Sequence, residues 1–296
     1  MDADRRTRTQ QLLRFRMAQA ISMRFVLFVA LILLALGTVA LFLAQEWFPA
    51  GISLASAAVD RQFAVSLAAI GIAFLVSQVA LAFILWRGRS RKPPASPHDA
   101  SGIWRWELLW LLVIAVFFAG LAWSGAASWQ AANAQAATRE RPIEVEVTGT
   151  QFAWYFRYPG GDGKFGRTLP QFIDPAQGNA AAIGLDASDP ASADDVVTQI
   201  LVLPQNQPAE LRLRSHDVIH SFFVPELRFK QDAVPGMENS LRFLPVRAGD
   251  YELVCAQLCG LGHHRMRSRV RIVSLAEFAT WMAAQSAQLQ ARSAVR

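Results

Sequence analysis

Residues 251–266 read YELVCAQLCGLGHHRM, a strand-like lead into a loop that holds both cysteines of the chain, two of its five histidines and one of its six methionines. Cys255, Cys259, His263 and Met266 form C-x3-C-x3-H-x2-M. A disulfide between the two cysteines suits an oxidising compartment, but so short a loop makes a demanding bridge and leaves the histidine and methionine unexplained. Zinc takes thiolate and imidazole yet has little use for a thioether. Cysteine, histidine and a weakly bound methionine together are the ligand set of a copper electron-transfer site. A mononuclear blue-copper site needs two histidines and one cysteine, so the second cysteine points to two metals bridged by both thiolates. Such a site needs another imidazole. Residues 216–236, HDVIHSFFVPELRFKQDAVPG, offer His216 and His220. His220 is placed at the end of a strand-like run, followed by a turn, from where it can meet the loop across the top of a sandwich.

Outward from this loop the pattern is β. From Pro142 onward, apolar and polar residues alternate in IEVEVTG (143–149), ELRLRS (210–215), NSLRFLPV (239–246) and RVRIVS (269–274). Turn sequences such as LPQNQP, AVPG and RAGD separate these runs. Period two with Pro/Gly punctuation predicts a small antiparallel β-sandwich or barrel over 143–273. Ser274 with Glu277 reads as a capping box opening a final helix through Trp281, within a C-terminal segment 274–296.

The N-terminal half is of another kind. The 296 residues are 53% hydrophobic, and the mean hydropathy is positive, too oily for an ordinary soluble protein. Three apolar runs can cross a bilayer as helices, at about 25–44, 63–86 and 104–127, the last only if Glu107 faces protein rather than lipid. Trp104, Trp106, Trp110, Trp123 and Trp129 flank the third run as an interfacial belt would. A buried soluble helix is the alternative for that run. A small, polar linker, 129–142, leads into the β pattern. Residues 1–24 carry Arg5, Arg6, Arg8, Arg14, Arg16 and Arg24, and the loop after the second run carries Arg87, Arg89, Arg91 and Lys92, whereas the loop after the first has only Arg61. The positive-inside rule then puts the N-terminus and the 87–103 loop in the cytoplasm and everything after residue 128 outside. The first run is longer than a signal-peptide core and lacks a clean cleavage site before Gln45, which favours an uncleaved anchor. The net charge of +6 thus reflects topology, and nucleic acid is not an expected partner.

With these residues in view, the chain resembles subunit II of the haem–copper cytochrome c oxidases. DVIHSFFVPELRFKQDAVPG followed by CAQLCGLGHHRM carries the likeness, which covers about Val145 to Ile272 and, more loosely, the two spans before it. The resemblance implies a cupredoxin-like Greek-key sandwich holding a dinuclear CuA centre, with Cys255 and Cys259 as bridges, His220 and His263 as terminal imidazoles, Met266 as axial thioether and the Gln257 carbonyl as the last ligand. It leaves His264 without a metal role. It also implies electron flow from cytochrome c to a haem-bearing subunit I that reduces oxygen, in a multi-pass protein of the bacterial cytoplasmic membrane with the copper domain on the periplasmic side.

Three departures stand out. Gln257 replaces the usual acidic residue, which leaves magnesium at the subunit I contact in doubt. The aromatic strip usually read Q-W-Y-W is here Gln151, Phe152, Ala153 and Trp154, so Phe152 takes the electron-receiving position with Trp154 expected on the same strand face. The family commonly has two spans and this chain three. Glu107 with Trp110 matches a glutamate at the mouth of a proton channel, although a helix-end carboxylate in solvent reads the same way. Asp174, Asp186, Asp189, Asp194 and Asp195 lie in a stretch from Thr168 to Leu211 free of lysine and arginine, either a solvated loop or an acidic face that steers a basic cytochrome. A copper-free quinol oxidase subunit would lack these ligands. A membrane-anchored copper carrier or thiol-redox protein would need exchangeable cysteines. No C-x-x-C-H for covalent haem occurs.

Overall fold

The structure is a computed structural model and describes residues 23, 25–45, 47–87, 104–136 and 140–294. Arg5, Arg6, Arg8, Arg14, Arg16, Arg24, Arg89, Arg91 and Lys92, expected to set the orientation, lie outside the described residues.

Among the described residues, three helices are long and apolar enough to cross a membrane: α1 (Phe25–Leu43), α2 (Ser56–Arg87) and α3 (Trp104–Ala136, apolar through Ala132). Their large side chains, among them Leu34, Ile72 and Trp123, are exposed all round, a surface that lipid tolerates and water does not. Gln62 donates to Ser124 at 3.0 Å and so joins α2 to α3 by a polar bond. Both longer helices outrun the expected spans. Apolar runs locate the bilayer crossing but not the helix ends, because Asp60, Arg61 and the Ala-rich WQAANAQA are all compatible with helix. The linker expected over 129–142 is therefore helical through Ala136.

The β domain is a two-sheet sandwich. Its strands are β1 (Ile143–Thr150), β2 (Ala153–Tyr158), β3 (Val196–Thr198), β4 (Ile200–Pro204) and β5 (Ala209–Ser215). They continue as β6 (His220–Val224), β7 (Phe229–Ala233), β8 (Asn239–Phe243), β9 (Gly249–Cys255) and β10 (Arg267–Val273). One sheet runs β3-β2-β1-β5-β8 and the other β4-β10-β9-β6-β7. The all-antiparallel expectation is corrected: β1 pairs parallel with β5, and β4 with β10. Long excursions separate these partners in sequence, and such crossovers permit parallel pairing where a hairpin does not. Val145 and Val147 on β1, Leu211 and Leu213 on β5, Phe222 on β6 and Leu253 on β9 are fully buried between the sheets, as the period-two pattern requires. The C-terminal helix, Leu275–Ala294, opens with the expected capping box. Ser274 Oγ accepts from the Glu277 N–H at 3.2 Å, and Glu277 accepts from the Ser274 N–H at 2.9 Å.

On β1, the outward-facing Glu146 and Thr148 are buried as well, because the excursion between β2 and β3 covers them. Its aspartates do the covering. Arg157 bonds Glu146 at 2.8 Å and Asp195 at 3.2 Å, all three side chains buried. Asp186 pairs with Arg167 and caps Ser188, while Asp189 accepts from the Arg167 and Ala191 N–H groups. Asp194 accepts from the Asp162 N–H, and Asp174 from that of Ala176. The stretch, open to reading as a solvated loop or an acidic face, draws its arginine partners, Arg157 and Arg167, from outside it and its other donors largely from its own backbone. The acids close the domain instead.

A segment outside the expected 143–273 also belongs to the domain. Residues 48–61 form one compact unit with the sandwich. Ile52 is fully buried in the sandwich core, its N–H bonded to the Glu226 carbonyl and its own carbonyl accepting from Val246. Arg228, in the left-handed region at φ 64°, bonds Asp60 at 2.7 Å and the Pro49 carbonyl at 2.5 Å.

Two outcomes are expected. Ile52→Ala should lower the stability of the β domain by about 2–4 kcal/mol, the usual cost of a buried Ile-to-Ala cavity, in chemical denaturation of the detergent-solubilised chain followed by circular dichroism. Burial holds the Asp195 carboxyl up at about 6, outweighing the Gly166 N–H and Arg157 that pull it down. The folded state then holds the proton more tightly than the unfolded chain, so this group's contribution is full below about 4 and is lost as pH rises through about 6. Across that window melting curves should lose stability more steeply with rising pH in the parent than in Asp195→Asn.

Candidate metal centre

The pairing of β6 with β9 assembles the site. Phe222 lies opposite Cys255, and the Ala256 N–H bonds the Ser221 carbonyl at 3.0 Å, which brings His220 alongside the start of the ligand loop. His220 begins β6 rather than ending a strand as expected, because the turn at 215–218 precedes it. At the other end of the loop the Cys255 N–H bonds the Met266 carbonyl at 3.1 Å, so β9 and β10 pinch the twelve residues into a closed lobe.

Within that lobe the sequence-predicted ligands meet. Cys255 Sγ lies 4.0 Å from Cys259 Sγ, 4.0 Å from His220 Nδ1 and 3.2 Å from the Gln257 carbonyl. Cys259 Sγ lies 3.5 Å from His263 Nδ1 and 3.7 Å from Met266 Sδ. Both cysteines are free and buried, their sulfurs about twice a disulfide bond apart. Among the described residues, His220, Cys255 and Cys259 form the histidine, cysteine and carboxylate group able to hold a metal, their ligand atoms all within 4.8 Å. Met266 is fully buried beneath them, whereas His264 is exposed. His216, the other upstream candidate, is not in the cluster.

Burial alone would raise the Cys255 thiol. Hydrogen bonds from His220 and from the Ser221 and Gln257 backbone reverse that and bring it below its ordinary value, while burial and the neighbouring Cys255 push Cys259 up. One thiol of the pair therefore ionises well before the other, and the buried thiolate is ready for a cation.

The imidazole of His220 is fixed from several sides. Its Nε2 meets Asp217 Oδ1 at 2.8 Å, and the Trp154 ring stands edge-on with centroids 5.9 Å apart. A Cβ added at Gly149 would come within 2.9 Å of His220 Cδ2, so only glycine lets β1 approach the ring this closely. The pairing of Phe152 with Trp154 on one surface is corrected here. β2 starts at Ala153 and the Gln151–Phe152 turn breaks the alternation, leaving Phe152 37% exposed and Trp154 1% exposed. Phe152 packs over the ligand loop, where an added Cβ at Gly262 would come within 2.3 Å of its ring. Glu107 stands exposed in the first turn of α3 and joins no such cluster. Asp217 and Gly149 are the residues that sequence reading missed. The spacing D-x-x-H carried a signal for the first, and nothing local marked the second.

Comparison with known proteins settles the family. The chain is 32% identical over 273 residues to the alternative cytochrome c oxidase subunit 2 of Bradyrhizobium diazoefficiens, covering 90% of this chain and 94% of that one. This chain belongs to the cytochrome c oxidase subunit II family. The family description "Cytochrome C oxidase subunit II, periplasmic domain" matches residues 143–273. Cytochrome c oxidase subunit 2 of Cereibacter sphaeroides is 29% identical over 219 residues, 68% of this chain and 67% of that one. The crystal structure of the periplasmic domain of subunit II from Bradyrhizobium japonicum aligns with 51% of this chain and 97% of its own at 26% identity, with a TM-score of 0.37. As a subunit II, the chain is part of an oxidase complex that reduces oxygen, with subunit I as its partner, and its membrane helices carry a copper-binding cupredoxin-like domain.

Proposed function

We propose that this subunit II takes electrons from a cytochrome c at a pair of copper ions and hands them to subunit I, where oxygen is reduced to water. One observation carries the reading: two thiols, two imidazole nitrogens, a thioether and a carbonyl converge in one lobe between β6, β9 and β10. The donor set fits copper, since soft sulfur and imidazole dominate and a thioether is included. Copper, when bound, supplies a reversible one-electron couple. Cys255 and Cys259 would bridge, His220 and His263 would cap, and Met266 and the Gln257 carbonyl would complete the set.

The chain's own contribution is rigidity and exclusion of water. Ligands held by paired strands move little when charge changes, which keeps the cost of reorganisation low. Burial of Cys255, Cys259, His220 and Met266 favours a resident ion over one in transit, as a copper carrier would need. The side chain of Gln257 is a neutral amide and supplies no charge for magnesium. Phe152, over the ligand loop, is the proposed contact for the donor's haem edge. Glu107 is the proposed mouth of a proton path into subunit I. A multi-pass location in a bacterial cytoplasmic membrane, with the β domain on the periplasmic side, completes the reading.

In the detergent-solubilised chain loaded with copper, metal analysis should give two ions per chain, with an electron paramagnetic resonance signal shared over both. Cys255→Ser and Cys259→Ser should each abolish that signal, and its survival in either would overturn the assignment. Phe152→Ala should slow electron uptake from reduced cytochrome c by about tenfold or more in stopped-flow, with copper content intact. Trp154→Ala should instead disturb the copper spectrum, because Trp154 packs on His220 and not on the surface.

A further inference from the structure

Asp217 accepts more hydrogen bonds than a surface carboxylate ordinarily does. Its Oδ1 receives the Val218 N–H at 2.7 Å and faces His220 Nε2 at 2.8 Å, and its Oδ2 receives the Gln151 N–H at 2.6 Å. The turn that carries it is itself tied down, with Ser215 Oγ donating to the Val218 carbonyl at 2.5 Å and accepting from the Asp217 N–H at 3.4 Å. Two backbone donors therefore hold the carboxylate in place opposite the imidazole, which Trp154 and Gly149 confine from the other sides.

The consequence for His220 is a choice of nitrogen. A carboxylate accepts only, so Nε2 carries the hydrogen and Nδ1 is left with its lone pair. Nδ1 is the nitrogen that faces Cys255 Sγ. Gln151 extends the same clip: its backbone N–H is held by Asp217, and its side-chain amide donates to the Cys259 carbonyl at 2.5 Å. Through Asp217 the turn that presents Phe152 is joined to one imidazole, and through Gln151 to the peptide of one cysteine.

We infer that Asp217 is a positioning residue for the metal centre: it selects the His220 tautomer with Nδ1 toward the cysteines and locks the Gln151–Phe152 turn onto the same ligand. The inference rests on the copper reading of the site. A carboxylate behind a ligating imidazole raises the basicity of that ligand and fixes its orientation, and losing such a partner typically weakens metal affinity about 10- to 100-fold. It also places a negative charge near the centre, which favours the oxidised state, so its loss should raise the reduction potential.

The test uses the full chain in detergent, with copper affinity measured by competition against a chelator and the reduction potential by spectroelectrochemical titration. Asp217→Ala should lose about 10- to 100-fold in copper affinity and show a raised potential. Asp217→Asn retains a carbonyl acceptor for the Nε2 hydrogen but no charge, so it should keep affinity within a few-fold of the parent while the potential still rises. An Asp217→Ala chain that matches the parent in both quantities overturns the inference, as does an Asp217→Asn chain that loses as much affinity as Asp217→Ala. Where Asp217→Ala fails to fold, Asp217→Asn decides alone: parent-like affinity with a raised potential supports the role, and an unchanged potential overturns it. Failure of the parent itself to bind copper is a different result and removes the reading on which this one rests.

Discussion

The register between β6 and β9 is the constraint on which the site depends. With Phe222 opposite Cys255, a histidine two residues before Phe222 arrives beside the loop that leaves β9. Strand side chains alternate between faces, so a slip of one residue would turn His220 away from Cys255 and bring Ser221 inward. Several features guard the register. Phe222 is fully buried against Trp154, Gly149 leaves room for the imidazole where any Cβ would collide, and the Cys255–Met266 backbone bond closes the loop from the other strand. The centre is thus as much a property of sheet packing as of its ligand residues.

That division explains what the sequence disclosed. Ligand chemistry is local, and four of the donors sit within twelve residues at spacings few other roles require, so Cys255, Cys259, His263 and Met266 were legible without a fold. The strands were legible too, since a sandwich core imposes period two on IEVEVTG, ELRLRS and RVRIVS. Pairing partners are not, because alternation says which face is buried and nothing about which neighbour lies alongside, so the parallel β1–β5 and β4–β10 pairs leave no mark in the pattern. Phe152 and Trp154 part for a related reason, one exposed and the other buried. Alternation does not carry across residues 151–152, where the chain turns.

The acidic stretch teaches a separate lesson about charge. Along the chain Asp186 and Asp195 have no basic neighbour, yet Arg167 and Arg157 reach them from outside the stretch, while Asp189 and Asp194 accept from backbone N–H groups. A folded chain neutralises charge in space, and the relevant neighbours are those across the sheet. The surface of the ligand loop exposes Phe152, Leu258 and Leu261 beside the polar Gln257, His264 and Arg265.

The burial of Ile52 among residues that follow it by nearly a hundred positions or more bears on how the polypeptide is threaded. Residues 48–61 and the sandwich share one core, so both must stand in the same aqueous compartment. Two membrane-length helices, α2 and α3, separate them in sequence. The number of crossings between the two is thereby even: α2 and α3 cross together or not at all, and a chain in which only one of them inserted would leave Ile52 and its pocket on opposite sides. Correct threading is therefore a precondition for closing the core.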